Sequence, residues 1–282
     1  MKLVRFGAVG AEKPGAIDAD GAIRDLSGHI PDLAGAHLNQ ASLDKLKKHD
    51  LKSLPLAPTG VRLGAPVAGT RNFIAIGLNY ADHAKETGQE IPAEPILFNK
   101  APTCISGPND DVMYPRNSEH MDWECEIAFV ISDRARYVDE KDAVKYIAGY
   151  CICNDVSERM FQSKRNGQWV KGKSAETFGP LGPWLVTADE IGDPHNLAMS
   201  LDVSGVRKQT GSTSTMIFSI PKLLSYVSDF MVLEAGDVIT TGTPPGVGAA
   251  RKPREYLKPG DVMALAIEGL GEQRQTVVAF KA

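Results

Sequence analysis

The sequence predicts an α+β fold or an all-β-like roll in preference to a parallel sheet built from βαβ units. Most of the chain consists of short apolar runs separated by turns rich in Gly, Pro, Asn and Asp, which is typical of strands. Helical patterns are few and short, and strands do not alternate with long helices as they would in a doubly wound fold. The first 65 residues differ in pattern, because glycines interrupt their short strands.

The composition is that of an ordinary globular protein of 282 residues, with 43% hydrophobic and 23% charged residues. A formal net charge of -4 gives no electrostatic reason to expect a nucleic acid or an anionic membrane as partner, so a small molecule is the expected partner. No apolar run approaches the ~18 residues of a membrane span, and the N-terminus lacks the apolar stretch of a signal peptide. We therefore expect a cytoplasmic protein.

The N-terminal part, residues 1–65, is predicted to be a small β-rich domain. Strands are expected over residues 2–9 and 15–18, and a charged helix over residues 43–54 that ends at the prolines which follow. A linker is expected at residues 63–66. The remaining residues, 66–282, are predicted to form a larger domain.

The larger domain shows a succession of short apolar strands. The clearest helix covers residues 219–230, where apolar residues recur at helical spacing behind the capping residue Ser219. The cysteines form no C-x-x-C pair and are expected to be reduced core residues. The main predicted strands are residues 74–76, 125–131, 147–153, 184–186, 201–203, 238–241 and 262–267.

Glu124 and Glu126 begin one apolar run, and a second apolar run ends at Asp155. Alternation on a strand places Glu124 and Glu126 on one face, where two buried carboxylates repel each other unless a positive charge lies between them. Oxygen ligands of this kind suit Mg²⁺ or Mn²⁺, and the absence of a nearby Cys/His pair argues against zinc. The alternative is alternating surface charge on an edge strand.

His83 and Glu86 lie in a segment of helical composition that follows a predicted strand. Residues three apart are neighbours on a helix, so the carboxylate can hold and polarise the imidazole. A histidine tuned in this way can act as a general base on water near neutral pH. The alternative is an exposed side-chain pair without a role.

Two further segments could contribute to a site. Lys173 lies between Trp169 and a turn-rich stretch, and a lysine held near a metal can stabilise developing enolate or oxyanion charge. Residues 241–248 follow an apolar strand, and their amides and hydroxyls could hold a carboxylate as an anion nest. The alternatives are a solvated basic loop and a plain strand-to-loop turn.

Five motifs in this order, N-Y-x-x-H-x-x-E, E-x-E, N-D-V-S-x-R, G-K-S and T-G-T-P-x-G-V-G, resemble those of the fumarylacetoacetate hydrolase family, from about residue 70 to the C-terminus. The resemblance implies a mixed β-sandwich roll of the type of that family's C-terminal domain, commonly dimeric, with a smaller N-terminal region. It also implies roles for nine residues. These are Glu124, Glu126 and Asp155 as Mg²⁺ or Mn²⁺ ligands, His83 and Glu86 as a water-activating pair on a mobile lid, Lys173 as the catalytic lysine, and Arg159, Gln162 and Thr243 as contacts of a carboxylate substrate.

Three further segments, residues 168–173, 209–218 and 267–271, are similar to enzymes described as ureidoglycolate lyases or as hydrolases of 2,4-diketo-3-deoxy sugar acids, such as the L-fuconate and L-rhamnonate derivatives. The resemblance therefore implies metal-dependent hydrolysis of a carbon–carbon bond in a 2,4-dioxo acid, giving pyruvate. The alternatives are a lyase that forms glyoxylate and urea, an oxaloacetate decarboxylase or acylpyruvase, and a ligand-binding member without activity. Glu176 departs from the sugar-acid branch, which usually has Asp at this position, and could shift the loop that carries Lys173.

Overall fold

The computed structural model describes residues 1–280 and confirms the predicted α+β fold with large sheets and few short helices. The helices are α1 (Gln40–Leu46), α2 (Ala81–Thr87), α3 (Arg159–Lys164), α4 (Val170–Lys173) and α5 (Ile220–Phe230). The strands are β1 (Lys2–Phe6), β2 (Lys13–Ile17), β3 (Ile23–Asp25), β4 (Leu63–Gly64), β5 (Phe73–Gly77), β6 (Ile96–Lys100), β7 (Ile105–Ser106), β8 (Val112–Met113), β9 (Met121–Asp122), β10 (Cys125–Ile131), β11 (Ile147–Asn154), β12 (Ser157–Glu158), β13 (Gly179–Thr187), β14 (Ala198–Val203), β15 (Val206–Ser212), β16 (Val238–Thr240), β17 (Val262–Ile267) and β18 (Gly271–Val278).

Two large sheets form the body of the molecule. The first has the strand order β3-β2-β1-β13-β11-β10-β16-β5-β6, with β4 added to β1 and β7 added to β13. The second has the order β15-β14-β17-β18-β8 and contacts β10, β11 and β13 of the first. Every residue of β10 and β11 is buried, because both faces of these central strands are covered. The ends of β10 and β11 are therefore rigid places on which to build a site.

The N-terminal strands continue the first sheet. β1 pairs antiparallel with β13, with Lys2 opposite Val186 and Leu3 opposite Leu185. The segment expected to be a linker is partly the short strand β4, which pairs with the end of β1. Residues 1–65 thus share a sheet and a hydrophobic core with the rest of the chain. The division into domains at residue 65 stays a prediction. The homodimer that the family resemblance implies also stays a prediction.

The helix predicted at residues 219–230 is present as α5, and the Ser219 side chain accepts a hydrogen bond from the Lys222 amide at its N-terminus. The helix expected at residues 43–54 is shorter: α1 ends at Leu46, and a single 3-10 turn covers Leu51–Ser53. All four cysteines are buried and unpaired, as predicted. Among residues 1–280, no helix has the length and hydropathy needed to cross a membrane.

Candidate active site

The carboxylates of Glu124, Glu126 and Asp155 meet at the paired ends of β10 and β11. Glu126 lies opposite Cys153 in the antiparallel register, and the Asp155 amide donates a hydrogen bond to the Glu124 carbonyl oxygen at 2.9 Å. One carboxylate oxygen from each of the three residues lies within 4.8 Å of the other two. All three side chains are buried. The predicted strand alternation therefore brings three acids to one point.

Two cations from the following helices contact this cluster. Lys173, at the end of α4, donates from Nζ to Glu124 Oε2 and to Asp155 Oδ2, both at 2.6 Å. Arg159, at the start of α3, donates from Nη2 to Glu124 Oε1 at 2.7 Å and from Nε to Asp122 Oδ2 at 2.8 Å. Each Glu124 oxygen thus has its own cationic partner.

α3 and α4 can bring these cations together because α4 has a glycine, Gly172, where the two helices touch. A Cβ atom at Gly172 would lie 2.4 Å from the Glu158 carbonyl oxygen and 2.5 Å from the Gln162 amide nitrogen. Any side chain there would push α4 away from α3 and withdraw Lys173 from the carboxylates. The glycine of the G-K-S motif is therefore a packing requirement.

Lys100 was not predicted from the sequence as a site residue, but it forms an ion pair with Asp155 of the cluster. It ends β6 and is fully buried, with Nζ 2.6 Å from Asp155 Oδ1. The same Nζ donates to the carbonyl oxygen of Lys173 at 2.5 Å. Lys100 therefore connects one of the acids to the backbone of α4. The signal in the sequence was a lysine that closely follows the apolar residues 96–98.

Asp122 is the second missed residue. It is fully buried, and in addition to Arg159 it accepts hydrogen bonds from the amides of Gly248 at 2.7 Å and Ala249 at 3.0 Å. It thereby fixes the orientation of the guanidinium that contacts Glu124. The signal was present in the sequence, since the period-two pattern of Glu124 and Glu126 extends back to Asp122.

The charges of the cluster do not balance. Asp122, Glu124, Glu126 and Asp155 provide four carboxylates, whereas Lys100, Lys173 and Arg159 provide three cations. Burial tends to raise the pKa of Glu124, but the charges of Arg159 and Lys173 outweigh it and lower that pKa to about 2. The pKa of Glu126 is shifted in the opposite direction.

Burial, together with the negative charges of Asp155 and Glu124, raises the pKa of the Glu126 carboxyl well above its usual range. The neutral Gly242 amide donates a hydrogen bond to Glu126 Oε2 at 3.0 Å. A divalent cation among the three carboxylates would supply the missing positive charge, and an all-oxygen donor set suits Mg²⁺ or Mn²⁺. The residues present therefore fit such an ion.

α2 carries the predicted His83–Glu86 pair at the mouth of the site. His83 Nδ1 lies 2.9 Å from Glu86 Oε2. The Glu86 carboxylate also accepts a hydrogen bond from the Gly246 amide, at 3.0 Å to Oε1. The helix ends at Gly88, whose φ of +67° is in the left-handed region that favours glycine. Glu86 thus joins α2 to the loop across the mouth.

The loop at residues 241–248 uses its donors on the protein's own acids. The amides of Gly242 and Gly246 hold the carboxylates of Glu126 and Glu86. The Thr243 hydroxyl donates to the Cys125 carbonyl oxygen at 2.9 Å and accepts from Gln209 Nε2 at 2.8 Å. The anion nest expected here is therefore partly occupied by side chains of the site.

A single cavity of about 820 Å³ joins these groups. Asp155 lies beneath its floor and is fully buried. Apolar and aromatic side chains, including Phe98 and Trp169, form one part of the wall, and basic residues of the segment 251–254 form another. The predicted site residues that line the cavity are His83, Glu86, Glu124, Glu126, Arg159, Gln162, Lys173 and Thr243.

The departure at Glu176 does not reach the cavity. Its side chain is exposed and makes no hydrogen bond or ion pair with any residue in the described range 1–280. The loop is held instead by the Ala101 amide, which donates to Ser174 Oγ at 2.8 Å, and by the Met113 amide, which donates to Thr177 Oγ1 at 2.8 Å.

Comparison with known proteins agrees with this architecture. Residues 72–278 match the family described as fumarylacetoacetate (FAA) hydrolase C-terminal. A protein of Sphingomonas sp. (strain SKA58) named 2,4-didehydro-3-deoxy-L-rhamnonate hydrolase is 54% identical over 282 residues, which cover 100% of this chain and 97% of the relative. The chain belongs to the fumarylacetoacetate hydrolase family, as its motifs predict.

Two solved structures have the same fold over the whole chain. The fumarylacetoacetate hydrolase of Exiguobacterium antarcticum has a TM-score of 0.88 and 37% identity, covering 99% of this chain and 100% of its own. The maleylpyruvate hydrolase of Sphingobium sp. SYK-6, solved with manganese(II) and pyruvate, has a TM-score of 0.81 and 26% identity, with 100% of both chains covered.

Proposed function

We propose that this protein is a divalent-metal-dependent hydrolase that cleaves a carbon–carbon bond of a 2,4-dioxo acid and releases pyruvate. The observation that carries the proposal is the cluster of three buried carboxylates, with oxygens within 4.8 Å of one another, beneath a cavity that also contains the His83–Glu86 pair. The relative that is 54% identical over 97% of its length is named for a deoxy sugar acid of this class, which supports the choice of substrate.

Glu124, Glu126 and Asp155 would hold the ion, as Mg²⁺ or Mn²⁺. When bound, a divalent cation supplies Lewis-acid polarisation of the substrate's 2-oxo group and neutralises developing negative charge. Oxygen ligands accept either metal, and the manganese in the related maleylpyruvate hydrolase supports this pair of candidates.

His83 would act as the general base. Its Nδ1 faces the Glu86 carboxylate at 2.9 Å, which leaves Nε2 to take a proton from water in the cavity. The negative charge of Glu86 favours the imidazolium that results. The hydroxide equivalent adds to the distal carbonyl carbon, C4, of the dioxo acid.

The bond between C3 and C4 then breaks. Its electron pair passes into the enolate of pyruvate, and the distal half leaves as a second carboxylic acid that contains the oxygen from water. Lys173 Nζ, already held by Glu124 and Asp155 at the cavity floor, would stabilise the enolate charge. A preorganised donor of this kind contributes on the order of 3 to 4 kcal/mol. The proton that His83 took from water would be returned to C3, which completes pyruvate and restores the base.

Arg159, Gln162 and Thr243 would contact the substrate. Arg159 Nη1 donates to Gln162 Oε1 at 3.1 Å, so the two side chains are held as a unit on α3. The Thr243 hydroxyl hydrogen is already used on Cys125. Among the hydrogen bonds of residues 1–280, the Thr243 amide N–H has no acceptor, and we assign this N–H to the substrate carboxylate.

A panel assay tests the proposal. The protein is treated with chelator, supplied with Mg²⁺ or Mn²⁺, and given 2,4-didehydro-3-deoxy-L-rhamnonate, an acylpyruvate, oxaloacetate or ureidoglycolate. Pyruvate, glyoxylate and urea are measured separately, and the chelated protein without added metal is the control. We expect metal-dependent pyruvate from a dioxo acid. Glyoxylate with urea as the only products would contradict the proposal.

A further inference from the structure

Gln209 connects two parts of the active site without lining the cavity. It lies on β15 of the second sheet and is fully buried. Its Oε1 accepts a hydrogen bond from the Cys125 amide at 2.9 Å, and its Nε2 donates to Thr243 Oγ1 and to the Pro244 carbonyl oxygen, both at 2.8 Å. Both Nε2 hydrogens and the carbonyl oxygen of the side chain are therefore used.

At Cys125, which lies between Glu124 and Glu126, hydrogen bonds to side chains take the place of pairing with a neighbouring strand. β16 pairs with β10 only as far as Thr240, opposite Ala128, and the chain then turns away. Past this point the Cys125 backbone is satisfied on that side by side chains: its N–H by Gln209 and its carbonyl oxygen by Thr243. Cys125 lies between Glu124 and Glu126, so any movement of its backbone moves both acids.

The backbone around Gln209 fits closely against the same loop. A Cβ atom at Gly211 would lie 2.4 Å from Pro244 Cβ, and one at Gly246 would lie 2.0 Å from the Lys208 carbonyl oxygen. Gly246 has a φ of +106°, which L side chains rarely adopt. β15 thus packs closely on this loop, and from it Gln209 reaches both the loop and the start of β10.

We propose that Gln209 is a positioning residue that sets the distance between the metal-binding carboxylates of β10 and the loop at Thr243 that receives the substrate carboxylate. The inference rests on the proposed function for the roles of these two parts. A 2-oxo acid that binds both must span a fixed gap, so a change in the gap weakens its binding. Loss of a group that directly orients a metal ligand typically costs roughly 10- to 100-fold in metal affinity, and Gln209 orients two ligands through the backbone that joins them.

The chain offers a matched control in Gln273. This residue is also buried on a strand of the second sheet, with 1% of its surface exposed. Its Nε2 donates to the carbonyl oxygens of Ile152 at 2.8 Å and Gly182 at 3.0 Å, and its Oε1 accepts from Gln275 at 3.1 Å. Gln273 thus donates two hydrogen bonds and accepts one, as Gln209 does, but none of its partners lines the cavity.

The experiment compares wild type, Gln209→Glu and Gln273→Glu as purified full-length proteins. In both variants a carboxylate oxygen replaces the amide nitrogen Nε2, so the two hydrogen bonds that this nitrogen donates are lost. Mn²⁺ affinity and the Mn²⁺ EPR spectrum are measured first, then pyruvate affinity of the Mn²⁺-loaded protein, with the thermal midpoint recorded for each. Gln209→Met, which has similar length and no charge, provides the comparison if Gln209→Glu does not fold.

We expect both variants to lower the thermal midpoint. Only the Gln209 variant should weaken Mn²⁺ and pyruvate binding, by about tenfold or more, and change the EPR spectrum. Affinities within about twofold of wild type, together with a lower midpoint, would show that Gln209 is merely structural and overturn the inference. Wild type that bound neither Mn²⁺ nor pyruvate would overturn the proposed function itself, and the inference with it.

Discussion

Lys100 Nζ lies 2.6 Å from Asp155 Oδ1, and both side chains are inaccessible to solvent. Burial tends to lower the pKa of Lys100, but the Asp155 charge outweighs it and raises that pKa. Removing one partner of a buried ion pair leaves the other charge uncompensated. Lys100→Met should therefore destabilise the metal-free protein by about 3 to 5 kcal/mol, as measured by denaturant unfolding.

Lys145 provides the control for this prediction. It forms an ion pair with Asp142 at the same distance, 2.6 Å, but 72% of the Lys145 side chain is exposed. Water screens such a pair, so Lys145→Met should change the free energy of unfolding by less than about 1 kcal/mol. Equal effects of the two substitutions would refute the importance assigned to the buried pair.

His83→Ala should lower turnover while Mn²⁺ still binds. The His83 imidazole is assigned to proton transfer, so its loss should lower turnover by about 10²- to 10⁴-fold. It is not one of the proposed metal ligands, so Mn²⁺ affinity should stay the same. Turnover and Mn²⁺ affinity are measured on the same preparation. His37→Ala, at a position outside the cavity lining, should leave both unchanged. Full turnover of His83→Ala on the true substrate would exclude the general-base role.

Metal binding should release a proton. In the metal-free protein, burial and the charges of Asp155 and Glu124 raise the pKa of Glu126 well above its usual range. The folded protein then holds a proton that the unfolded chain loses, so its stability falls as pH rises from the ordinary carboxyl range through the raised pKa. The cation must displace this proton, and Mn²⁺ affinity should fall about tenfold per pH unit below the raised pKa.

Calorimetric titration with Mn²⁺ in two buffers of different ionisation enthalpy counts the protons released. Glu126→Gln cannot release this proton and should bind Mn²⁺ more weakly, with little change of affinity in the same pH window. An uptake of protons by wild type, or the same pH dependence in Glu126→Gln, would show that Glu126 is not the group that responds to the metal.

Glu176→Asp, which restores the residue usual in the sugar-acid branch, should leave KM within about twofold of wild type. The Glu176 side chain is exposed, and the loop is positioned by Lys100, Ser174 and Thr177. Exposed positions without partners rarely change stability or function by more than about 0.5 kcal/mol. A large change in KM would mean that the loop is held differently during catalysis.

The parts predicted from the sequence are those that follow a simple local pattern. Residues 125–131 form a short, nearly continuous apolar run and residues 219–230 have apolar residues at helical spacing, and both elements are present. The same logic singled out Glu124 and Glu126 for one site.

The parts that were missed break the rule that buried faces are apolar. β15 and β18 carry buried glutamines, Gln209 on the first and Gln273 and Gln275 on the second, at positions where a hydrophobic pattern would have Val or Ile. Lys100 is buried for the same kind of reason, since its partner Asp155 lies far away in sequence. Such side chains are stabilised by tertiary hydrogen bonds and ion pairs that no local pattern contains.

The most direct test of the account is oxygen labelling. The Mn²⁺-loaded protein is incubated with 2,4-didehydro-3-deoxy-L-rhamnonate in water enriched in oxygen-18, and both products are analysed by mass spectrometry. We expect pyruvate and lactate, with one labelled oxygen in the lactate carboxylate, because water adds to C4 before the carbon–carbon bond breaks. Two results would contradict hydrolysis at C4. The first is pyruvate together with unlabelled lactate, and the second is intact substrate under conditions where Mn²⁺ is bound.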